Sequence, residues 1–169
     1  ASPVLGYAAD HAAVIDAFTR LAEASGQSRW LSAAVETADS LLALFWDERS
    51  GGFFTSGHDG ERLIARPKEL MDNAVPAADS MGALALRRLA ALTGERRFDR
   101  AADAVLRRTA TLAVAHPTAF GQLLVALELT DGMVGSGAAA PLTEVVVAGR
   151  RPELVAAVQR RWLPSAVLA

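Results

Sequence analysis

The sequence contains no cysteine, a single lysine (Lys68), a single tyrosine (Tyr7) and no long apolar run. Without cysteine there is no disulfide framework, no thiol nucleophile and no cysteine-ligated metal. A membrane span needs roughly 18 consecutive apolar residues, and no segment reaches that length. The N-terminus also lacks the basic-then-apolar pattern of a signal peptide. We therefore expect a cytoplasmic protein that makes no membrane contact.

The charged residues exclude further classes of partner and cofactor. The formal net charge is −2, and the charges are scattered along the chain without a basic block, so we expect no nucleic-acid partner. His11, His58 and His116 are far apart in sequence and lack metal-ligand spacing, so we predict no metal site. No phosphate loop, nucleophile elbow or dinucleotide fingerprint occurs, and we predict no cofactor.

What the chain has in abundance is hydrophobic residues, at 51%, and residues that favour helices. Apolar residues recur at helical spacing in five segments. Glycine follows the first and third helices at Ser25-Gly26 and Thr93-Gly94, and Ser28 is a candidate N-cap for the second. The apolar positions of the five predicted helices run over 14–22, 30–46, 81–92, 98–112 and 120–127.

Two of the helix junctions form an internal repeat. Residues 24–34 align with residues 92–102: in both, a helix ends at glycine, polar residues turn the chain, and an aromatic residue followed by Ala-Ala opens the next helix. The period is 68 residues, which suits a helical hairpin plus a long loop. The alternative is two ordinary helix turns that share common cap residues. Repeated hairpins bury their apolar faces against one another, as in solenoids and closed α/α toroids.

Two regions do not fit the helical pattern. The glycine-rich stretch near 51–64, between the second and third helices, predicts an inserted β-hairpin or a long excursion of the chain. After a small-residue linker at 135–140, the tail predicts a strand at 143–148, a helix from Pro152 to near Trp162 and a strand at 166–168. The two strands should pair in parallel. We divide the chain into a helical region at 1–134 and a small α/β tail at 141–169.

Several short strings resemble one known family, and the pair Arg-Pro-Lys-Glu and Asp-Asn-Ala-x-Pro is their most specific part. The strings are Gly6-Tyr7-Ala8-Ala9-Asp10-His11-Ala12, Leu44-Phe45-Trp46-Asp47, Gly51-Gly52-Phe53-Phe54, Arg66-Pro67-Lys68-Glu69, Asp72-Asn73-Ala74-Val75-Pro76, Glu144-Val145-Val146-Val147-Ala148-Gly149 and Trp162-Leu163-Pro164. Together they resemble the C-terminal part of thioredoxin-domain-containing proteins of the spermatogenesis-associated type.

The resemblance implies a fold and a set of partners. Proteins of that family carry a thioredoxin-like domain followed by an (α/α)6 toroid related to N-acylglucosamine 2-epimerases and six-hairpin glycosidases. The expected fold is thus mainly α: a partial α/α-hairpin toroid with a small C-terminal strand–helix–strand unit. Five helices cannot close a twelve-helix ring, so the expected partners are the rest of a parent chain, including the thioredoxin-like domain. Exposed apolar edges would also favour self-association.

The most polar candidate for a functional segment runs from Arg66 to Ser80, before the third helix. Glu69 and Asp72 are three residues apart, so on a helical turn both would face one way, and such a pair could perform acid/base chemistry on a sugar. The structural alternative is that Arg66 and Lys68 neutralise them in an ion network. The family string Ser-Gly-Asn-Ser is replaced here by Ala77-Ala78-Asp79-Ser80.

A second candidate is His11, a residue type that moves protons near neutral pH. Asp10 adjoins it, but neighbours on a helix point about 100° apart, so Asp10 is poorly placed to orient the ring. A structural role for His11 is the alternative. The residues predicted to bind a sugar ligand are Arg66, Lys68, Asn73, Asp79 and Tyr7.

Two functions remain open from the sequence. The first is a carbohydrate-active or sugar-isomerising toroid with Glu69, Asp72 and His11 as its catalytic residues, a hypothesis that depends on the family resemblance. The second is a non-catalytic helical interaction module attached to a thioredoxin-like domain. The sequence does not decide whether the protein is an enzyme.

Overall fold

The computed structural model describes residues 5–60, 64–130, 142–149 and 151–169. The fold class is as predicted: the described chain is mainly helical, with packed helical hairpins and two short strands. In chain order the elements are α1 Ala8–Ser25, α2 Ser28–Phe45, α3 Ala78–Thr93, α4 Arg96–Ala115, a 3-10 turn Pro117–Ala119, α5 Gly121–Glu128, β1 Thr143–Val145, α6 Pro152–Gln159 and β2 Ala166–Leu168.

The first five helices form two layers. Helices α1, α3 and α5 lie side by side, while α2 packs on α1 and α4 packs on α3. Helix α3 is the centre of this arrangement, and eleven of its residues are buried. The core is filled by leucines and alanines around four fully buried phenylalanines. Those four are Phe45, Phe53, Phe98 and Phe120.

The two halves of the predicted repeat have the same local structure. Gly26 and Gly94 both adopt the left-handed conformation, with φ of 64° and 73°. Each glycine N–H donates to the carbonyl four residues earlier, at 2.8 Å for Gly26 and 2.7 Å for Gly94. This conformation favours glycine and closes the helix end. The hairpins α1–α2 and α3–α4 therefore have junctions of the same type, as the 68-residue period predicted.

The aromatic residues after each junction also match. The Arg29 guanidinium lies 4.6 Å from the ring centroid of Trp30, and that of Arg97 lies 4.4 Å from the centroid of Phe98. The predicted cap was wrong in one detail: Ser28 is the first helical residue, Gln27 is the N-cap, and no side chain caps α2. The helix instead begins on a bond from Trp30 N–H to the Gln27 carbonyl at 3.1 Å.

Of the β-hairpin predicted after α2, the structure describes mainly the first arm. Phe53 forms a single antiparallel bridge with Trp46, so the chain pairs back onto the end of α2. Around this bridge, Phe54 N–H donates to the Phe45 carbonyl at 2.9 Å. The predicted second arm falls mainly on residues 61–63, which lie outside the described residues. From 64 to 77 the chain has no helix or strand.

The C-terminal unit is the predicted strand–helix–strand. β1 and β2 pair in parallel, with Thr143 opposite Ala166. The strand β1 is shorter than predicted, and α6 ends at Gln159 rather than near Trp162. The linker at 135–140 and the boundary between the two predicted domains lie outside the described residues.

Glu23 of α1 fastens the C-terminal unit to the helices. Its carboxylate pairs with the Arg88 guanidinium of α3 and accepts a hydrogen bond from the Leu168 N–H of β2 at 2.9 Å. Val167 of β2 is buried beside this contact, whereas α6 has no buried residue. None of the helices in the described ranges is both long and apolar enough to cross a membrane.

Candidate functional site

The charged segment that starts at Arg66 lies at the end where α1, α3 and α5 all begin. The Ala8 N–H at the start of α1 donates to the Thr55 carbonyl at 3.0 Å, and the Thr55 N–H donates to the Pro67 carbonyl at 2.9 Å. These bonds place the start of α1, the stretch after Phe53 and the segment from Arg66 next to one another. The structure thus brings most of the predicted site residues to one end of the helices.

Asp72 caps helices at this end rather than facing a cleft. Its Oδ1 accepts the Ala77 N–H, at the start of α3, at 2.9 Å. Its Oδ2 accepts the Gln122 N–H at 2.9 Å and the Leu123 N–H at 3.4 Å, in the first turn of α5. Both carboxylate oxygens therefore satisfy N–H groups that a helix start leaves unpaired. One side chain holds the starts of α3 and α5 together.

The predicted pairing of Glu69 with Asp72 requires a helical turn, and the segment is not helical. The Asp72 N–H donates across to the Ala119 carbonyl at 2.9 Å instead of to its own segment. Glu69 is exposed and makes no hydrogen bond or ion pair within the described ranges. The structural alternative was also wrong in its partners, because neither Arg66 nor Lys68 pairs with Glu69 or Asp72.

Lys68 pairs with a carboxylate at the end of α2. Its ammonium lies 2.7 Å from Asp47 Oδ2, and it also donates to Ser50 Oγ at 2.9 Å and to the Gly51 carbonyl at 2.7 Å. All three donors of the ammonium are thus used. The hydrogen bond from Lys68, with smaller contributions from Ser50 and the Arg49 N–H, holds the pKa of Asp47 well below its ordinary value.

We expect the pairing of Lys68 with Asp47 to make the free energy of unfolding pH-dependent. An acid whose pKa is lowered by folding contributes its full stabilisation above its unfolded pKa, near 3.8 for Asp47, and loses it as the pH falls further. Lys68→Met should therefore be less stable than the wild type at neutral pH. The difference between the two should shrink from pH about 4 downwards.

Urea unfolding at a series of pH values between neutrality and strong acid measures this difference. Asp47→Asn is the matched control, because it removes the carboxylate at position 47. In that background, the loss of stability caused by Lys68→Met should not depend on pH through Asp47. A difference between the wild type and Lys68→Met that stays constant across the acid range would contradict the assignment.

Arg66 and Lys68 enclose an aromatic ring. The centroid of Phe54 lies 4.2 Å from the Arg66 guanidinium carbon and 4.8 Å from the Lys68 ammonium. Arg66 also donates to the carbonyls of Ser56 and Leu44, the latter at 3.0 Å. The cations therefore cover the face of Phe54, and both predicted sugar-binding residues hold the loop to the end of α2.

Asp79 is buried, with a relative exposure of 1%, in the first turn of α3. Its Oδ1 accepts the Phe53 N–H at 2.7 Å, and its Oδ2 pairs with the Arg108 guanidinium of α4. Burial raises the pKa of Asp79, while the bond from Phe53 and the charge of Arg108 act in the opposite direction. This predicted sugar-binding residue joins α3, α4 and the loop at Gly52.

Arg108 was missed by the sequence reasoning, although a signal was present. It lies three residues after Val105, on the face of α4 that also carries the buried Ala101. A cation in an apolar stripe requires a partner for its charge, since an unpaired buried charge is costly. Its side chain is 23% exposed in the structure, with Asp79 as that partner.

The residues around His11 have structural contacts. Asp10 Oδ2 accepts the Tyr7 N–H at 2.8 Å, which caps α1, and so does not orient His11, as expected. His11 Nδ1 lies 3.0 Å from the Tyr7 carbonyl, and its ring centroid is 4.9 Å from that of Phe45. Tyr7 is 54% exposed as a residue. Asn73 is also exposed, and its backbone N–H donates to the Val75 carbonyl at 3.2 Å.

Two surface cavities lie elsewhere on the molecule. One of about 600 Å³ lies between α3, α4 and the start of β1, and includes Arg87, Asp103 and Glu144. The other, of about 890 Å³, lies between the α1–α2 turn and the C-terminal unit. None of the predicted catalytic or sugar-binding residues lines either cavity. Over the described residues, no group of three or more histidines, aspartates or glutamates is placed to hold a metal ion.

Comparison with known proteins gives one group of relatives. Over 95 residues, 56% of the chain, the sequence is 40% identical to spermatogenesis-associated protein 20 of Mus musculus. The corresponding identities are 39% for the Homo sapiens protein and 40% for that of Rattus norvegicus. Over this stretch the chain is homologous to spermatogenesis-associated protein 20. The homology confirms the part of the predicted resemblance that concerns the spermatogenesis-associated type.

The homology is limited in extent. The aligned stretch makes up 12% of the length of each spermatogenesis-associated protein 20. No family model matches the chain. The name spermatogenesis-associated protein 20 states neither a ligand nor a reaction, so the similarity supports common descent and no particular activity. The relation of the helices to a sugar-epimerase toroid stays a prediction.

Proposed function

We propose that this chain is a non-catalytic helical module whose hairpins pack edge to edge with further helices. The observation that carries the proposal is Asp72: both of its oxygens are occupied by backbone N–H groups of α3 and α5. A carboxylate whose two oxygens both hold backbone N–H groups at helix starts serves as a helix cap and presents no free oxygen to a sugar. The best-placed candidate acid is thus part of the scaffold.

The other charged groups of the segment support the same proposal. Lys68 uses its three donors within the protein, and Asp79 is buried against Arg108. Their contacts fasten the loops at 47–54 and 66–77 to the helix ends. In a protein of the length of its relatives, such a module would stand beside other domains, including the thioredoxin-like domain that the family resemblance implies.

A carbohydrate site is the second candidate, and one juxtaposition favours it. Tyr7 and Glu69 are both exposed and lie at the same end of the helices, because the start of α1 and Pro67 both bond to Thr55. An exposed aromatic ring and an exposed carboxylate at one end of the helices are groups that can stack on and hydrogen-bond a sugar. The epimerase- or glycosidase-like activity proposed from the family would then use Glu69, with His11 beside Tyr7.

A thermal-shift series on the full-length protein with a panel of neutral and N-acetylated monosaccharides separates the two candidates. For a non-catalytic module, we expect no sugar to raise the melting temperature. Asp72→Ala should destabilise the protein with or without sugar by about 1 to 2 kcal/mol, because the helix starts lose their cap. Glu69→Gln is the matched control and should melt like the wild type.

One result would reverse the proposal. If a sugar raises the melting temperature, and Glu69→Gln abolishes that increase without changing the melting temperature of the free protein, the end of the helices is a carbohydrate site. The non-catalytic module is then excluded as the sole function.

A further inference from the structure

The internal repeat relates each position of α1 to a position of α3, 68 residues later. Because the chain continues through identical junctions at Gly26 and Gly94, the alignment can be extended back along both helices. Three aligned positions differ sharply in burial. The aligned pairs are Val14 with Gly82, Ala17 with Ala85, and Leu21 with Leu89.

In α3 these positions are buried in the core, but in α1 they are exposed. Val14 and Leu21 have relative exposures of 40% and 41%, and Ala17 is exposed as well. Residues 14, 17 and 21 are three and four apart, so they share one face of α1. We call this stripe of Val14, Ala17 and Leu21 the free face of α1. An apolar stripe of this kind is normally covered by another helix.

An arginine stands at the same repeat position on both helices. Arg88 of α3 is nearly buried, with a side-chain exposure of 7%, and pairs across the helix interface with Glu23, near the C-terminal end of α1. Arg20 is the aligned residue of α1. Its side chain is 57% exposed and, among the described residues, bonds only to Asp16 of its own helix, at 2.7 Å. Such an exposed pair within one helix contributes little stability.

Arg88 and its partner indicate what should cover the side of α1 that carries Arg20, although at the position aligned with Val14 it is the Phe53 ring that approaches Gly82. In the known interface, Arg88 meets a parallel helix whose glutamate lies close to its C-terminal end. The occupant of the free face should likewise be a helix that runs parallel to α1, presents small or apolar side chains, and carries a carboxylate near its last turn for Arg20.

Helix α5, at the opposite edge of the same layer, has these features. Gly121, Val125 and Glu128 are exposed and spaced four and three apart along one face, which we call the edge of α5. Glu128 is the last residue of the helix and has no ion-pair partner within the described ranges. Helix α5 also begins at the same end as α1 and α3, so it has the required direction.

We propose that the edge of α5 of a second copy of this chain packs on the free face of α1, with Arg20 paired to Glu128 of that copy. The inference depends on the proposed function, in which hairpins pack edge to edge, and it names the surface and the partner. The interface uses different faces of the two copies, so it is heterologous and closes into a ring or extends into a chain of copies.

Sedimentation velocity over loading concentrations from about 1 µM to about 1 mM measures the association, which should be concentration-dependent. The wild type is expected to form dimers or larger assemblies, and Leu21→Asp should be monomeric. Arg20→Glu and Glu128→Arg should each weaken association by about tenfold or more, because each places like charges opposite one another. The double variant Arg20→Glu/Glu128→Arg should regain most of the wild-type association.

Val75→Asp is the matched control, since Val75 is 68% exposed, belongs to neither proposed face and lies at the opposite end of the helices from Arg20 and Glu128. It should leave association unchanged. Circular dichroism confirms that each variant is folded. A wild type that stays monomeric at every concentration overturns the proposal and leaves the face to a different helix, from a longer parent chain or from another protein. Association that survives both single charge reversals, or that the double variant fails to restore, also overturns it. None of these outcomes depends on sugar binding, so the proposed function is tested separately.

Discussion

Replacing Asp79 with alanine is expected to lower the free energy of unfolding by about 2 to 4 kcal/mol. The substitution leaves the Arg108 guanidinium without its partner and the buried Phe53 N–H without an acceptor. Removing one member of a fully buried ion pair costs about 3 to 5 kcal/mol. The range expected here is lower because the Arg108 side chain is 23% exposed and water can solvate part of its charge.

Asp79→Asn is the control that separates the contribution of the charge opposite Arg108 from that of the hydrogen bond with the Phe53 N–H. The amide oxygen can still accept the Phe53 N–H, but the charge that balances Arg108 is lost. We expect Asn to cost about half as much as Ala, since a hydrogen bond to a neutral group is weaker than one to a charged group. Urea unfolding followed by circular dichroism measures both. If Asp79→Ala is within about 0.5 kcal/mol of the wild type, the size of a neutral surface substitution, Asp79 does not anchor the loop.

The features that could be predicted from the sequence are those set by neighbouring residues. The glycine that ends α1, the glycine that ends α3 and the aromatic after each junction depend on contacts within a few residues. The period of 68 residues therefore predicted two equivalent hairpins. Helical periodicity likewise predicted the core faces of α2 and α4, because an amphipathic pattern determines which side is buried. In α1 it was misleading, since Val14 and Leu21 of the predicted apolar face are exposed.

The roles of the charged segment could not be predicted because its bonds are made to distant residues. Asp72 caps α5 through Gln122, 50 residues away, and Lys68 pairs with Asp47, 21 residues earlier. The assumed helical turn around Glu69 failed for the same reason. The backbone of the segment bonds to the stretch after Phe53 and to Ala119, and so has no internal helical bonds.

Gly52 lies where the loop approaches the Asp79–Arg108 pair most closely. Its φ is +77°, a conformation that costs a residue with a side chain about 1 to 2 kcal/mol. A Cβ at this position would lie 2.6 Å from Arg108 Nη2 and 2.8 Å from Asp79 Oδ1. Alanine therefore cannot be accommodated unless the buried ion pair moves.

Gly52→Ala is expected to lower the free energy of unfolding by about 3 kcal/mol or more, the sum of the backbone cost and the disturbed ion pair. Gly26→Ala is the matched control, because Gly26 also has positive φ, at 64°, but a Cβ there would contact nothing within 4 Å. Gly26→Ala should lower the free energy of unfolding by only about 1 kcal/mol. Urea unfolding measures the loss of unfolding free energy in both variants. Equal losses would show that the loop moves to accommodate the alanine, and that the contact with Asp79 and Arg108 does not hold the loop in place. A larger loss for Gly52→Ala that disappears in the Asp79→Ala background would show that the ion pair itself excludes the side chain.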